Sequence, residues 1–133
     1  MDSTIPAALN LGLAGALRSL AAGHPMSTTL QADGDLPAHD PVASGLYLAA
    51  GELVTNAAKH STATRVDIEL TVGPDEVRLT VRDNGIGGVP AVPPGVAGRV
   101  RTMNGHAVID SPVGVGTTVQ IRVRHPGPAE GRP

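Results

Sequence analysis

The sequence contains no phenylalanine, no tryptophan and no cysteine, and it has a single tyrosine among its 133 residues. A hydrophobic core must therefore be aliphatic, and it needs close packing of helices on a sheet because no large ring fills gaps. The absence of cysteine excludes disulfides, thiolate metal sites and a cysteine nucleophile. The length suits one domain of modest size and makes two domains unexpected.

The sequence also lacks a basic excess and a long apolar run. Its formal net charge is -2, and it has almost no aromatic rings to stack on bases, so nucleic acid binding is not expected. No apolar stretch approaches the roughly 20 residues that span a bilayer, and the N-terminus lacks the basic start of a signal peptide. These absences predict a cytoplasmic protein without direct membrane contact.

The spacing of the apolar residues predicts three helices and about five strands. Helices are expected at about 9–22, 42–60 and 96–104, and strands at 26–32, 65–72, 76–82, 106–111 and 117–123. Strict alternation in the second and third strands, joined by GPD, predicts an antiparallel hairpin. We therefore expect an α+β fold, a two-layer sandwich with the helices on one face of a mixed, mostly antiparallel sheet. Residues 1–124 would form the domain and 125–133 a disordered tail.

Four polar residues border the apolar face of the second predicted helix, in the stretch GELVTNAAKHS. This polar stripe consists of Glu52, Asn56, Lys59 and His60. At about 100° per residue the four side chains fall within an arc of about 100°. Burying such groups without partners is costly, so we expect them to face a cleft that holds something polar. The alternative is a solvated helix face with Glu52 and Asn56 at ordinary helical spacing.

A glycine-rich stretch, VRDNGIGG, follows the third predicted strand. Asp83 ends the strand, and Gly85, Gly87 and Gly88 follow it. Glycines at this spacing let the backbone approach a ligand closely, and an aspartate at a strand end can accept a hydrogen bond from an exocyclic amine such as that of adenine. The alternative is an ordinary turn. The stretch is neither a P-loop nor a dinucleotide fingerprint, because the required lysine and third glycine are missing.

A second glycine cluster, SPVGVGTTVQI, precedes the last predicted strand. Gly114 and Gly116 make a tight connection, after which Thr117 or Thr118 offers a hydroxyl toward Asp83. The alternative is an ordinary hairpin loop.

The order of these motifs is specific. ExxxN on a helix, then DxGxG after a hairpin, then GxGT before a terminal strand resembles the N, G1 and terminal glycine boxes of the GHKL ATPases, which share the Bergerat fold. Within that superfamily, LGLAGALRSLA, AAGELVTNAAKHS, VRDNGIGG and GRVRTMNGHAVIDSPVGVGTTVQI look like the catalytic ATP-binding domain of NarL/DesK-type sensor histidine kinases. The resemblance covers roughly residues 9–123 and implies two-component signalling with ATP and Mg²⁺ as cofactors.

The resemblance also implies roles for individual residues. In that family the asparagine matching Asn56 coordinates the Mg²⁺ that bridges the triphosphate, and the aspartate matching Asp83 binds the adenine amino group. The position matching Glu52 sits by the metal or its water, so Glu52 and Asn56 are the implied catalytic pair. The set implied for ATP binding is Asn56, Lys59, His60, Asp83, Gly85, Gly87, Gly95, Val96, Thr117 and Thr118. Mg²⁺ prefers oxygen ligands and is typically shared with substrate phosphates, which agrees with these roles.

The segment after the first glycine motif departs from the family pattern. Counting back from RVRTMNG puts Gly95 and Val96 on the second lid glycine and its leucine, but it puts Val92 on the first glycine, with two prolines between. Because proline cannot donate a backbone hydrogen bond, we expect this stretch to hold phosphate less well. A gapped alignment that uses Gly95 and Gly98 is the alternative.

The phosphoacceptor histidine is a second departure. In these kinases it lies on a dimerising helical hairpin upstream, and no such hairpin precedes Ile5. None of the histidines at positions 24, 39, 106 and 125 sits in that context. We expect an excised kinase domain, from a cytoplasmic or membrane-bound sensor, or a protein acting on a histidine in trans. Alone it should be a monomer that binds ATP without phosphorylating itself. Its partners would be the dimerisation domain and, through it, a response regulator.

Two other functions fit the same motifs. One is a free-standing GHKL anti-sigma factor, a serine kinase whose length and ELVTNA-like box are similar. The other is a degenerate GHKL module that binds partners without hydrolysing ATP, which the prolines at 93 and 94 favour.

Overall fold

The computed structural model describes residues 12–60 and 62–125, apart from the side chain of His60. Along the chain lie α1 (Gly12–Ala22), β1 (Ser27–Asp33), α2 (Pro41–His60), β2 (Arg65–Val72), β3 (Glu76–Asp83), α3 (Pro94–Thr102), β4 (His106–Asp110) and β5 (Thr117–Arg124). The predicted three helices and five strands are confirmed. Residues 9–11, predicted as the start of α1, lie outside the described residues.

The five strands form one open sheet in the order β1-β2-β3-β5-β4. β1 and β2 are parallel, because α2 carries the chain back across the sheet between them, and the other pairs are antiparallel. β1 lies at one edge of the sheet and β4 at the other. The sheet is therefore mixed and mostly antiparallel, as expected.

The core is aliphatic and lies between the helices and one face of the sheet. The largest fully buried side chains are Leu13, Leu17, Leu46, Val54, Val66, Ile68, Leu70, Val77, Leu79, Val96 and Ile121. On the sheet-facing side of α2, Ala43, Ala49, Ala50 and Ala57 are also buried. Their small size lets the helix approach the strands closely, and this close approach keeps the core well packed without large aromatic rings. No described helix is both long and apolar enough to cross a membrane.

The start of α3 differs from its sequence prediction. The helix was expected at Val96, but it begins at Pro94, with Pro93 as the preceding cap residue. A first-turn N–H has no intrahelical partner, so proline is tolerated there and its fixed φ favours the helical turn. The two prolines therefore begin the helix, where the sequence analysis had placed a loop.

The first turn of α2 is held by an aspartate and by the end of β5. Asp40 Oδ1 accepts a hydrogen bond from the Val42 N–H at 2.9 Å, and its Oδ2 lies 2.7 Å from His125 Nε2. The His125 N–H also donates to the Asp75 carbonyl at 2.9 Å. His125 is the first residue of the predicted tail, and β5 delivers it to the helix cap. The boundary of the tail stays a prediction. Residues 126–133 lie outside the described residues.

This cap gives a test of what stabilises α2. Asp40→Ala is expected to lower the free energy of unfolding by about 1–2 kcal/mol, because it removes the capping oxygen and the partner of His125. Asp40→Asn keeps a capping oxygen and should cost less. Asp75→Ala is the control, since the exposed Asp75 contributes through its backbone carbonyl. Urea denaturation measures all three, and equal effects of Asp40→Ala and Asp75→Ala would contradict the capping role.

Candidate functional site

A cavity of about 410 Å³ lies between α2, the inner face of the sheet and the segment that follows β3. Its lining residues are Leu53, Asn56, Ala57, Asp83, Ile86, Gly87, Gly88, Val89, Pro90, Pro93, Ile109, Thr117 and Val119. The volume lies within the range of about 300–1,000 Å³ that small-molecule sites usually have. Most of the lining is apolar, and three polar side chains, Asn56, Asp83 and Thr117, converge on it.

Asp83 supplies a carboxylate at the end of β3. It pairs with Val66 on β2 and with Thr117 on β5, and this register places it on the helix side of the sheet. Its Oδ1 accepts a hydrogen bond from the Gly85 N–H at 2.8 Å. That local turn orients the carboxylate, so Asp83 forms an anionic hydrogen-bond acceptor on the cavity wall.

The neighbouring Asn84 anchors the end of the strand. Its Oδ1 accepts hydrogen bonds from the backbone N–H groups of Thr64 and Arg65 at 2.9 and 3.0 Å. Its Nδ2 donates to the Thr64 hydroxyl at 3.0 Å. The asparagine therefore ties the turn after β3 to the start of β2, which holds Asp83 in place.

The residues of the polar stripe on α2 have different surroundings. Asn56 lines the cavity, whereas Lys59 is exposed outside it. Glu52 is half-buried and packs on the first turn of α3, where a Cβ on Gly95 would overlap its carboxylate. A carboxylate near a helix N-terminus is favourable. The side chain of His60 lies outside the described residues.

The predicted lid residues lie partly away from the cavity. Val96 is fully buried in the core, so its side chain does not reach the cavity, and Gly95 contacts Glu52 instead. Pro93, which the sequence analysis treated as an interruption, lines the cavity. Gly98 lies in the middle of α3, so Gly95 is the glycine at the start of the helix, as in the ungapped alignment.

We define the glycine loop as residues 84–90 and the hairpin loop as residues 111–116, between β4 and β5. Gly87 and Gly88 have positive φ values of 68° and 78°. A Cβ on Gly87 would overlap the carbonyl oxygen of Pro112. The two loops therefore contact each other through backbone atoms at a position where only glycine fits.

Three hydrogen bonds join the two loops. The Gly88 N–H donates to the Ser111 carbonyl at 2.8 Å, and the Gly114 N–H donates to the Ile86 carbonyl at 2.6 Å. The third runs from the Val89 N–H to Ser111 Oγ at 3.0 Å. The sequence analysis missed Ser111. Its signal was a hydroxyl residue directly after β4 and before the glycine pair.

Only one of the two predicted threonines faces this cavity. Thr117 pairs with Asp83 on the inner face, whereas Thr118 pairs with Arg82 and Asp110 on the open face. Thr118 lines a second cavity of about 410 Å³ on that face. Thr118 therefore lies outside this cavity, because side chains alternate between the two faces of the sheet along β5.

The second cavity has a different character. It is bordered by Arg65, Asp67, Arg82 and Asp110 among other residues, so its charges are mixed. Asp67 accepts a hydrogen bond from the Thr29 hydroxyl at 2.7 Å. This bond and the nearby arginines lower the pKa of Asp67, while burial opposes them. The Asp67 carboxylate thus already has hydrogen-bond partners on its own face of the sheet.

The apolar lining was also not identified from the sequence. Ile109 reaches the cavity from β4, and Ile86 and Val89 reach it from the glycine loop. A strand was predicted at 106–111, but only the sheet order shows that β4 lies beside β5 at the cavity. No three histidine, aspartate or glutamate side chains in the described part of the chain are placed to hold a metal ion by themselves.

Comparisons with known proteins give one family match and many structural neighbours. Residues 42–95 match the family described as histidine kinase-, DNA gyrase B-, and HSP90-like ATPase. No curated protein matches. The match confirms the predicted likeness to the GHKL ATPases, and the NarL/DesK subtype stays a prediction.

The solved structures that resemble the chain include domains of histidine kinases. The histidine kinase domain of the Erythrobacter litoralis EL346 blue-light activated kinase is 22% identical, with a TM-score of 0.64 over 92% of this chain. The ATP binding domain of PrrB from Mycobacterium tuberculosis is 24% identical, with a TM-score of 0.63, covering 96% of this chain and 99% of that one. The histidine kinase domain of the E. coli osmosensor EnvZ is 16% identical, with a TM-score of 0.66, covering 91% and 89%.

The chain spans 64% of the first of these structures and 45% of the fuller Erythrobacter kinase. At these identities the likeness shows the fold, which is the one expected from the sequence motifs.

The contact between the two loops can be tested with two glycines. Gly87→Ala is expected to lower the free energy of unfolding by at least about 2 kcal/mol, because the strain of positive φ adds to the overlap with Pro112. Gly114 has a φ of 82° but open space around its Cβ position, so Gly114→Ala should cost only about 1 kcal/mol. Chemical denaturation measures both, and equal losses would mean that the loops are not in contact.

Proposed function

We propose that this chain, whose residues 42–95 match the histidine kinase-, DNA gyrase B-, and HSP90-like ATPase family and which has the fold of histidine kinase ATP-binding domains, is the ATP-binding catalytic domain of a sensor histidine kinase. The observation that carries the proposal is the convergence of Asn56, Asp83, Gly87 and Thr117 on one cavity. These residues come from three separate sequence motifs.

The base would bind at the sheet end of the cavity. The Asp83 carboxylate accepts a hydrogen bond from an exocyclic amine, which adenine has and guanine lacks at the corresponding position. Ile86, Ile109 and Val119 give the purine an apolar surface, so burial of the ring adds affinity. The Asp83 carboxylate then selects bases that have an amine on the facing edge.

The triphosphate would extend toward Asn56 on α2. Mg²⁺, when bound, neutralises phosphate charge and positions the γ-phosphate for transfer. The residues present fit such an ion, because Asn56 offers an amide oxygen and Mg²⁺ usually takes only one or two protein ligands beside phosphates and water. This agrees with the lack of a self-sufficient metal cluster among the described residues.

Glu52 is better assigned to positioning than to water activation. Its carboxylate packs on Gly95 at the start of α3, and it is not part of the cavity lining. A kinase gains nothing from activating water, since hydrolysis competes with transfer. We therefore propose that Glu52 holds the first turn of α3, and with it Pro93, at the cavity edge.

The remaining family properties complete the proposal. The acceptor would be a histidine on a dimerisation domain, with a response regulator downstream, and the site would work in the cytoplasm. A second candidate is a nucleotide-binding module without transfer activity. It is favoured by the two prolines of the lid, which remove two backbone donors from the phosphate end.

Nucleotide titration of Asp83→Asn tests the base site. The variant is expected to bind ATP at least about tenfold more weakly, because a charge-assisted hydrogen bond is lost. The preference for ATP over GTP should shrink as well, since an amide can also donate to a carbonyl. Thr118→Ala, on the opposite face, is the control and should bind normally. Unchanged affinity of Asp83→Asn would refute the adenine role.

Asn56→Ala tests the metal site. ATP affinity of the unaltered chain should rise when Mg²⁺ replaces EDTA, and the variant should lose most of this increase because the amide oxygen is absent. Thr55→Ala changes the preceding residue of α2, which does not line the cavity, and this variant should keep the Mg²⁺-dependent increase in affinity. Isothermal titration with and without Mg²⁺ gives both values. A variant that retains the full increase would show that the metal is held elsewhere.

A further inference from the structure

Ser111 lies where the glycine loop meets β5, and none of the roles described above involves this residue. It follows β4 directly and is half-buried at the first position of the hairpin loop. Its carbonyl accepts from the Gly88 N–H, its hydroxyl accepts from the Val89 N–H, and the same hydroxyl lies 2.7 Å from Thr117 Oγ1. One residue thus connects the glycine loop with β5.

The two groups that the hydroxyl contacts belong to the cavity. Val89 and Thr117 both line it, and they reach it from different elements. The Ser111 hydroxyl therefore adds a side-chain link between the glycine loop and β5 to the backbone hydrogen bonds that join the two loops.

Ser111 Oγ accepts from the Val89 N–H, and in its 2.7 Å contact with Thr117 Oγ1 either hydroxyl can be the donor. Where Ser111 donates to Thr117, the proton of Thr117 is left to point into the cavity. Thr117 lies directly opposite Asp83 in the β3–β5 register, so a donor then stands beside an acceptor on one wall.

We propose that Ser111 is a positioning residue of the nucleotide site: it holds Val89 at the cavity and donates its hydroxyl proton to Thr117, which leaves Thr117 as a donor beside Asp83. This proposal rests on the proposed function. Asp83 as acceptor and Thr117 as donor match the edge of adenine, which has an amine next to an unprotonated ring nitrogen. Guanine offers a carbonyl next to a ring N–H, which is the opposite pattern. Ser111 would thereby contribute to base selectivity without touching the base.

The first measurement needs no nucleotide. Amide hydrogen exchange by NMR on the whole chain should show faster exchange at Val89 in Ser111→Ala, by about tenfold or more, because its acceptor is gone. The amides of Gly88 and Gly114 should stay protected, since their acceptors are backbone carbonyls. Thr102→Ala is the control, because it removes a hydroxyl that bonds only within α3 and should change none of these amides. Equal acceleration at Gly88, Val89 and Gly114 would mean general loosening and would overturn the proposal.

The second measurement is nucleotide affinity. Ser111→Ala is expected to bind ATP about tenfold more weakly and to lose part of its preference over GTP. Ser111→Thr keeps the hydroxyl and should restore both, and Thr102→Ala should match the unaltered chain. Normal ATP affinity and selectivity in Ser111→Ala, with Val89 exchange accelerated, would overturn the positioning role while leaving the proposed function intact. If the unaltered chain binds neither nucleotide, the proposed function fails and this role fails with it.

Discussion

The pairing of β3 with β5 is the constraint on which the site depends. In a ladder where side chains alternate between faces, placing Asp83 opposite Thr117 puts both on the helix side and sends Thr118 to the other face. A shift of one residue would exchange these faces and would bring Arg82 toward the core. The buried valines and leucines of the same strands prevent that shift, so the packing energy of the core also sets the chemistry of the cavity.

The packing of α2 on the sheet likewise places a residue of the site. One side of the helix carries small aliphatic residues that let it lie close to the sheet, and the adjoining side carries Asn56 at the cavity. The close packing of these small residues on the sheet fixes where Asn56 stands relative to the strand ends. The aliphatic composition, first noted as an absence, is thus part of how the site is built.

Several features of the site were readable in the sequence because they are local. The glycine-rich stretch after β3 identified Asp83 as a candidate, and helical spacing predicted that Asn56 borders the core. The same reasoning placed Glu52 in the cleft, but its carboxylate packs on α3. That outcome depends on where α3 lies and on the close approach allowed by Gly95, and neither is encoded in the spacing along α2. The side chain of Val96 lies in the core because the helix begins earlier than expected, and its role in ATP binding stays a prediction.

The amino-acid sequence alone determined the elements, the α+β class, the aliphatic core and the motif order that indicates a nucleotide site, because periodicity and turn chemistry act between near neighbours. Tertiary structure decided that Thr117 faces the cavity and not Thr118, that Glu52 and Asn56 have separate environments, and that Ser111 joins two loops. These facts arise from contacts between residues far apart in the chain, whose distances follow from strand register and helix placement.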